Sequence, residues 1–135
     1  MNFKMLWFTC LIALVTTLLL SSCQDEMVSQ QMNCQLLTAP IQFAEDSIQV
    51  VYHLEAKGDC ELESFFYNTD NQKVTITNPD TIVEVFVTLS AQKSIQAGAF
   101  GTAMDGSIRV SFKATGIGKT YEAMDQCQQN ILKDK

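Results

Sequence analysis

From Ile48 onward, apolar residues recur at every second position, and that period allows only strands with one face turned to a core. Ile48, Val50, Tyr52, Leu54 and Ala56 share one face, while Gln49, Val51, His53 and Glu55 share the other. Lys57-Gly58-Asp59 reads as a turn, Leu62 to Asn68 as the next strand, and Thr69-Asp70-Asn71-Gln72 as its closing loop. Val74 and Ile76 alternate with threonines up to Asn78-Pro79-Asp80. Thr81 to Leu89 is the most apolar strand; Ile82 and Phe86 line its second face, which predicts cover on both sides. Asp105-Gly106 reads as a turn ahead of the alternating Ile108, Val110, Phe112 and Ala114. Thr115-Gly116-Ile117-Gly118 then leads into a last strand, Tyr121 to Cys127. Residues 35–45 read as an edge strand ended near Pro40, and Ser90 to Ala99 as a loop on account of Gly98 and Gly101. Six to seven short strands with regular turns and no convincing helix predict an all-β fold, a small antiparallel β-sandwich.

Such a sandwich is one domain, and 135 residues leave room for no second. Hydrophobic residues make up 47% and charged ones 18%, too apolar for a disordered chain. Nine Lys plus Arg against 15 Asp plus Glu give a net charge of −6. A chain this acidic gains little from releasing phosphate counterions, so nucleic acid is not an expected partner.

The start of the chain obeys a different rule. Lys4 is followed by an uncharged run to Leu20 and then by small residues. This order marks a secretory signal peptide, and the run falls short of the roughly 20 residues of a spanning helix. A permanent membrane anchor is the other reading. Leu20-Ser21-Ser22-Cys23 resembles the bacterial lipobox. The resemblance implies diacylglycerol on the Cys23 sulfur, cleavage before Cys23 and acylation of the freed amine. The mature protein would then be held at a bacterial membrane by two or more acyl chains, enough for stable anchoring. Gln24 follows the cysteine where an inner-membrane retention signal of enteric bacteria would have Asp, which implies the outer membrane. Gln24-Asp25-Glu26 also resembles the short acidic export signal of Bacteroidetes surface lipoproteins. Residues 1–22 are thus expected to be a cleaved signal peptide, 23–33 a lipidated tether, 34–130 the sandwich and 131–135 a polar tail. Cleavage takes Lys4 as its only charged residue and leaves the mature chain one charge more negative.

Tyr52, Gly58, Tyr67, Pro79, Phe86, Leu89-Ser90-Ala91-Gln92 and Gly106-Ser107-Ile108-Arg109-Val110 follow one another in an order that resembles the small Ig-like domain of the MmpS-like family. The resemblance covers residues 48–127. It implies a membrane-anchored accessory of an envelope lipid or siderophore transporter. Asp80 stands where that family typically has Trp after its Pro.

Little in the chain suggests chemistry. Of five cysteines, Cys10 leaves with the signal peptide and Cys23 takes the lipid, so Cys34, Cys60 and Cys127 remain. In an oxidising compartment two of them are expected to pair. Cys34 opens the folded region and Cys127 closes its last strand, so Cys34–Cys127 would pin both ends; Cys60–Cys127 is the alternative if the first and last strands are neighbours. No close C-x₂₋₄-C spacing points to zinc. His53 is the one histidine, with no nucleophile motif and no second histidine, and reads as an ordinary strand residue. Asp59, Glu61 and Glu63 alternate as a calcium-binding row would, or as the solvated face that blunts an edge strand. Gly98-Ala99-Phe100-Gly101 lacks the Lys-Ser/Thr of a phosphate loop. The expectation is a protein without enzymatic activity or cofactor: a lipid-anchored binding or structural module with an envelope protein or glycan as partner. A transporter accessory is the first alternative, and a small ligand carrier or enzyme the second.

Overall fold

The computed structural model describes residues 30–129. The segments expected to be the signal peptide, the lipobox, the first part of a tether and a polar tail lie outside them. The described chain is a small all-β antiparallel sandwich with eight strands in order: β1 (Met32–Leu37), β2 (Ile41–Gln42), β3 (Ser47–Asn68), β4 (Lys73–Thr77), β5 (Ile82–Ser90), β6 (Ser94–Ile95), β7 (Ala97–Gly116) and β8 (Lys119–Gln129). There is no helix among the described residues, and hence none long and apolar enough to cross a membrane.

Two very long strands make the architecture. β3 and β7 run antiparallel over almost their whole length, from Gln49 opposite Thr115 to Tyr67 opposite Ala97. The pair bends back on itself, so each strand serves both layers. The first half of β3 and the second half of β7 form one layer, flanked by β5 and β8; the other halves form the second layer, flanked by β4 and β1. β2 and β6 form a separate two-stranded ribbon.

The bend corrects two sequence expectations. Neither Lys57-Gly58-Asp59 nor Asp105-Gly106 is a turn. Gly58 pairs directly with Gly106, and both strands continue through this corner. Gly58 has φ +76°, a conformation that side chains disfavour. A Cβ on Gly106 would overlap the Lys57 carbonyl oxygen, so the backbones approach this closely only without side chains. Just beyond the corner the register shifts twice, placing one extra residue in β7 (Met104) and one in β3 (Glu63). Each bulge bends its strand and reverses which alternate residues face inward. Even-numbered Ile48, Val50, Tyr52 and Leu54 are therefore buried before the corner of β3, and Phe65 after it. In β7 the order is reversed, with Ala97, Ala99 and Ala103 buried first and Ile108, Val110, Phe112 and Ala114 afterwards.

Small and large side chains match across the layers. The alanines of β7 leave room for the rings of β3: Tyr52 packs on Tyr67 at 5.2 Å and on Phe112 at 6.2 Å, and Phe65 lies 5.7 Å from Tyr67. The Tyr52 hydroxyl donates to the Asn68 carbonyl (2.9 Å), so burial pushes its pKa well up without orphaning the group.

Three further expectations change. β1 begins at Met32, inside the segment 23–33 expected to be a tether. The segment read as a loop from Ser90 to Ala99 contains β6 and the start of β7. Gly98 sits inside β7 because the Phe66 ring crosses over it, where a Cβ would collide. Finally, β5 is not covered on both sides: it pairs only with β3, Ile82 is 63% exposed and Phe86 73%, and Val85 is half-buried.

Candidate functional site

Cys34 on β1 and Cys127 on β8 form a disulfide, with Cα atoms 5.8 Å apart. β1 belongs to one layer and β8 to the other, so the bond closes one side of the sandwich. The Leu37 N–H donates to the Asp125 carboxylate (2.9 Å) along the same seam. Cys60, the alternative partner, is a free thiol beside the corner, its Sγ 3.3 Å from the Lys57 carbonyl oxygen. Partial burial and the neighbouring Asp59 push its pKa up, which keeps it protonated and a poor nucleophile. Cys23 lies outside the described residues.

Both ends of the described chain emerge at one end of the sandwich. Met32 pairs with Ala103 and Gln129 with Gly106, all at the folded corner. The opposite end carries the loops around residues 44–46, 69–72, 91–93 and 117–118. Several contacts hold them: Asp70 accepts hydrogen bonds from the N–H (2.7 Å) and hydroxyl of Ser90, the Ala91 N–H donates to the Asp46 carbonyl (2.8 Å), and the Tyr121 hydroxyl meets the Glu45 carboxylate at 3.2 Å. The Ser90 bonds hold the Asp70 carboxyl below its ordinary pKa, whereas desolvation and Glu45 raise that of Tyr121. Ile117 stands 96% exposed at the tip of the β7–β8 turn.

His53 lies on the outer face of the first layer, with Glu84 of β5 and Ser111 of β7 as cross-strand neighbours. Together with Val51, Lys113 and Met124 they line an open depression of about 620 Å³. Among the described residues no side-chain hydrogen bond joins His53 to Ser111 or Glu84. One row away, Glu55 bridges Arg109 and Lys57 (3.0 Å), and the Lys57 contact first, then Arg109, lower its pKa. Asp59, Glu61 and Glu63 are all exposed near the corner, alternating with half-buried Cys60 and Leu62, and the bulge at Glu63 ends the row. No group of three metal-binding side chains gathers among the described residues.

Sequence reasoning missed a second depression, of about 430 Å³, on the other layer. Leu37, Phe66 and Phe100 form its apolar floor, and the Lys73 ammonium lies 4.4 Å from the centre of the Phe66 ring. Gly98 was the available signal, because a glycine within a strand marks a close approach. Comparison with protein-family models, with curated proteins and with solved structures found no match.

Proposed function

We propose that this is a non-catalytic, lipid-anchored lipoprotein of the bacterial outer membrane, acting as a binding or structural module. Leu20-Ser21-Ser22-Cys23 carries the reading, since charged start, apolar run, small residues and cysteine stand in the order lipoprotein processing requires. The position of β1 supports it. Eight residues lie between Cys23 and Met32, and the nine steps at about 3.5 Å each reach no further than about 30 Å. A chain lipidated at Cys23 would therefore hold the folded corner toward the membrane and turn the loop end outward, to a protein or glycan partner. A disulfide between buried Cys34 and half-buried Cys127 suits such a small envelope domain. The MmpS-like resemblance of residues 48–127 keeps a transporter accessory as the second reading.

Labelled palmitate tests the anchor directly. The wild-type chain should incorporate it and fractionate with membranes, and Cys23→Ala should do neither while retaining its signal peptide. Label entering Cys23→Ala as efficiently as wild type would refute the reading.

A further inference from the structure

Cys34 is the third residue of β1 and Cys127 the third from the end of β8, so their bond lies close to the folded corner, beside the entry of the N-terminal segment. From Cys127, β8 runs unbroken to the turn at Ile117-Gly118, paired with β7 all the way from Ile108 to Gly116. Its residues from Lys119 to Cys127 rise about 3.4 Å each as strand, close to the limit of a stretched chain. A covalent line with almost no slack therefore crosses the sandwich, from the corner through the disulfide to the opposite tip. That tip is bare: Ile117 is 96% exposed, and a Cβ on Gly118 would meet nothing within 4 Å.

Without the bond, a pull on the N-terminal segment reaches the fold through β1 alone. This strand is held by six pairs with β7 and by Thr38, whose N–H donates to the Ala97 carbonyl (2.9 Å) and whose hydroxyl accepts from the Ala97 N–H (3.0 Å). The pull runs along β1 and across these hydrogen bonds, so they fail together. The chain from Cys34 to Ile117 is then free to draw out over about 290 Å.

We infer that the Cys34–Cys127 bond makes β8 a tensile rod, which carries a pull at the Ile117-Gly118 tip straight to the N-terminal segment and leaves the rest of the fold unloaded. This rests on the anchoring reading for its fixed end. It makes the tip a point at which an outward partner can pull without unfolding the module. The loops at 69–72 and 91–93 lack this property, because every covalent route to them from the bond runs through the paired length of β3 or β7. Reduction removes the rod and returns the load to β1.

The full chain, extracted from membranes in detergent, is stretched in optical tweezers between a peptide tag after Gln24 and a second tag between Ile117 and Gly118. Oxidised, it should show no unfolding step. With reductant, or as Cys127→Ala, it should unravel and release about 290 Å of chain. With the second tag after Asn71 instead, the oxidised chain should unravel at a force that the tip-held chain withstands, releasing about 130 Å. Should the tip insertion prevent folding, the second tag goes after Lys135. There the oxidised chain should keep residues 34–127 closed, and the reduced chain should release about 330 Å. An oxidised chain that releases more than about 50 Å when held at its tip or its end would overturn the inference. So would an oxidised chain that yields at the tip as easily as at Asn71, or a reduced chain that resists as firmly as the oxidised one. None of these outcomes bears on Cys23, whose uptake of label decides the anchor separately.

Discussion

Replacing Cys34 with alanine removes the bond between the two ends of the domain while leaving every backbone pairing in place. The bridged residues stand 93 apart in sequence. In the chain-entropy description, a loop of this size frees the unfolded chain by about 4.6 kcal/mol at 25 °C. For a domain of about 100 residues this corresponds to a fall in Tm of about 20 °C or more. Thermal melts by circular dichroism, on chain purified with and without reductant, provide the assay. Oxidised Cys34→Ala, oxidised Cys127→Ala and the double variant should melt close to reduced wild type, because each lacks the same bond. Cys60→Ala should stay near oxidised wild type, since Cys60 is unpaired and only half-buried. A Cys34→Ala chain melting within about 5 °C of oxidised wild type would refute the reasoning, as the bond would then constrain little. A large loss in Cys60→Ala with none in Cys34→Ala would refute the pairing itself.

Gly106→Ala should lower stability by about 3 kcal/mol in urea unfolding, since its methyl group would enter the Lys57 carbonyl at a corner both layers share. Val110→Asp should abolish cooperative melting, because Val110 is fully buried and the carboxylate would have no partner there. Val85→Asp, on a half-buried edge, should keep a cooperative but lower transition. Acid should weaken the fold through Glu55 and Asp70, whose pKa values are both lowered. Their contribution is complete above the ordinary carboxylate range and is lost as pH falls through the lowered values. Urea midpoints measured against pH should show this acid limb, and Glu55→Gln should flatten it.

The strands before and after the corner were legible because their alternation is unbroken, as in Ile48 to Ala56 and Ile108 to Ala114. The corner itself was not. Gly58 and Gly106 carry local turn signals, and only their mutual pairing, 48 residues apart in sequence, turns two apparent hairpins into one folded ladder. The bulges at Glu63 and Met104 hid the rest, since each reverses the alternation that sequence reading relies on. The outer cover expected for β5 failed for another reason. Ile82 and Phe86 are apolar, but apolarity does not say whether a neighbouring element exists to cover them. The pairing of Cys34 with Cys127 was readable from their places at the two ends of the domain. Glu55 meets Arg109 only through cross-strand register, which no local pattern encodes.

The long ladder also sets the order in which this chain can acquire its structure. β3 is made early, yet nearly all its length pairs with β7, and the last strand arrives only with residues 119–129. Contacts so distant in sequence make folding slow, because loop closure comes before the stabilising pairs. During that interval Cys34 and Cys60 emerge together, well ahead of Cys127. Among these three cysteines the first pair open to an oxidant is thus the wrong one, and reaching Cys34–Cys127 from it takes thiol–disulfide exchange. Removing Cys60 should therefore speed oxidative folding while leaving the finished fold unchanged.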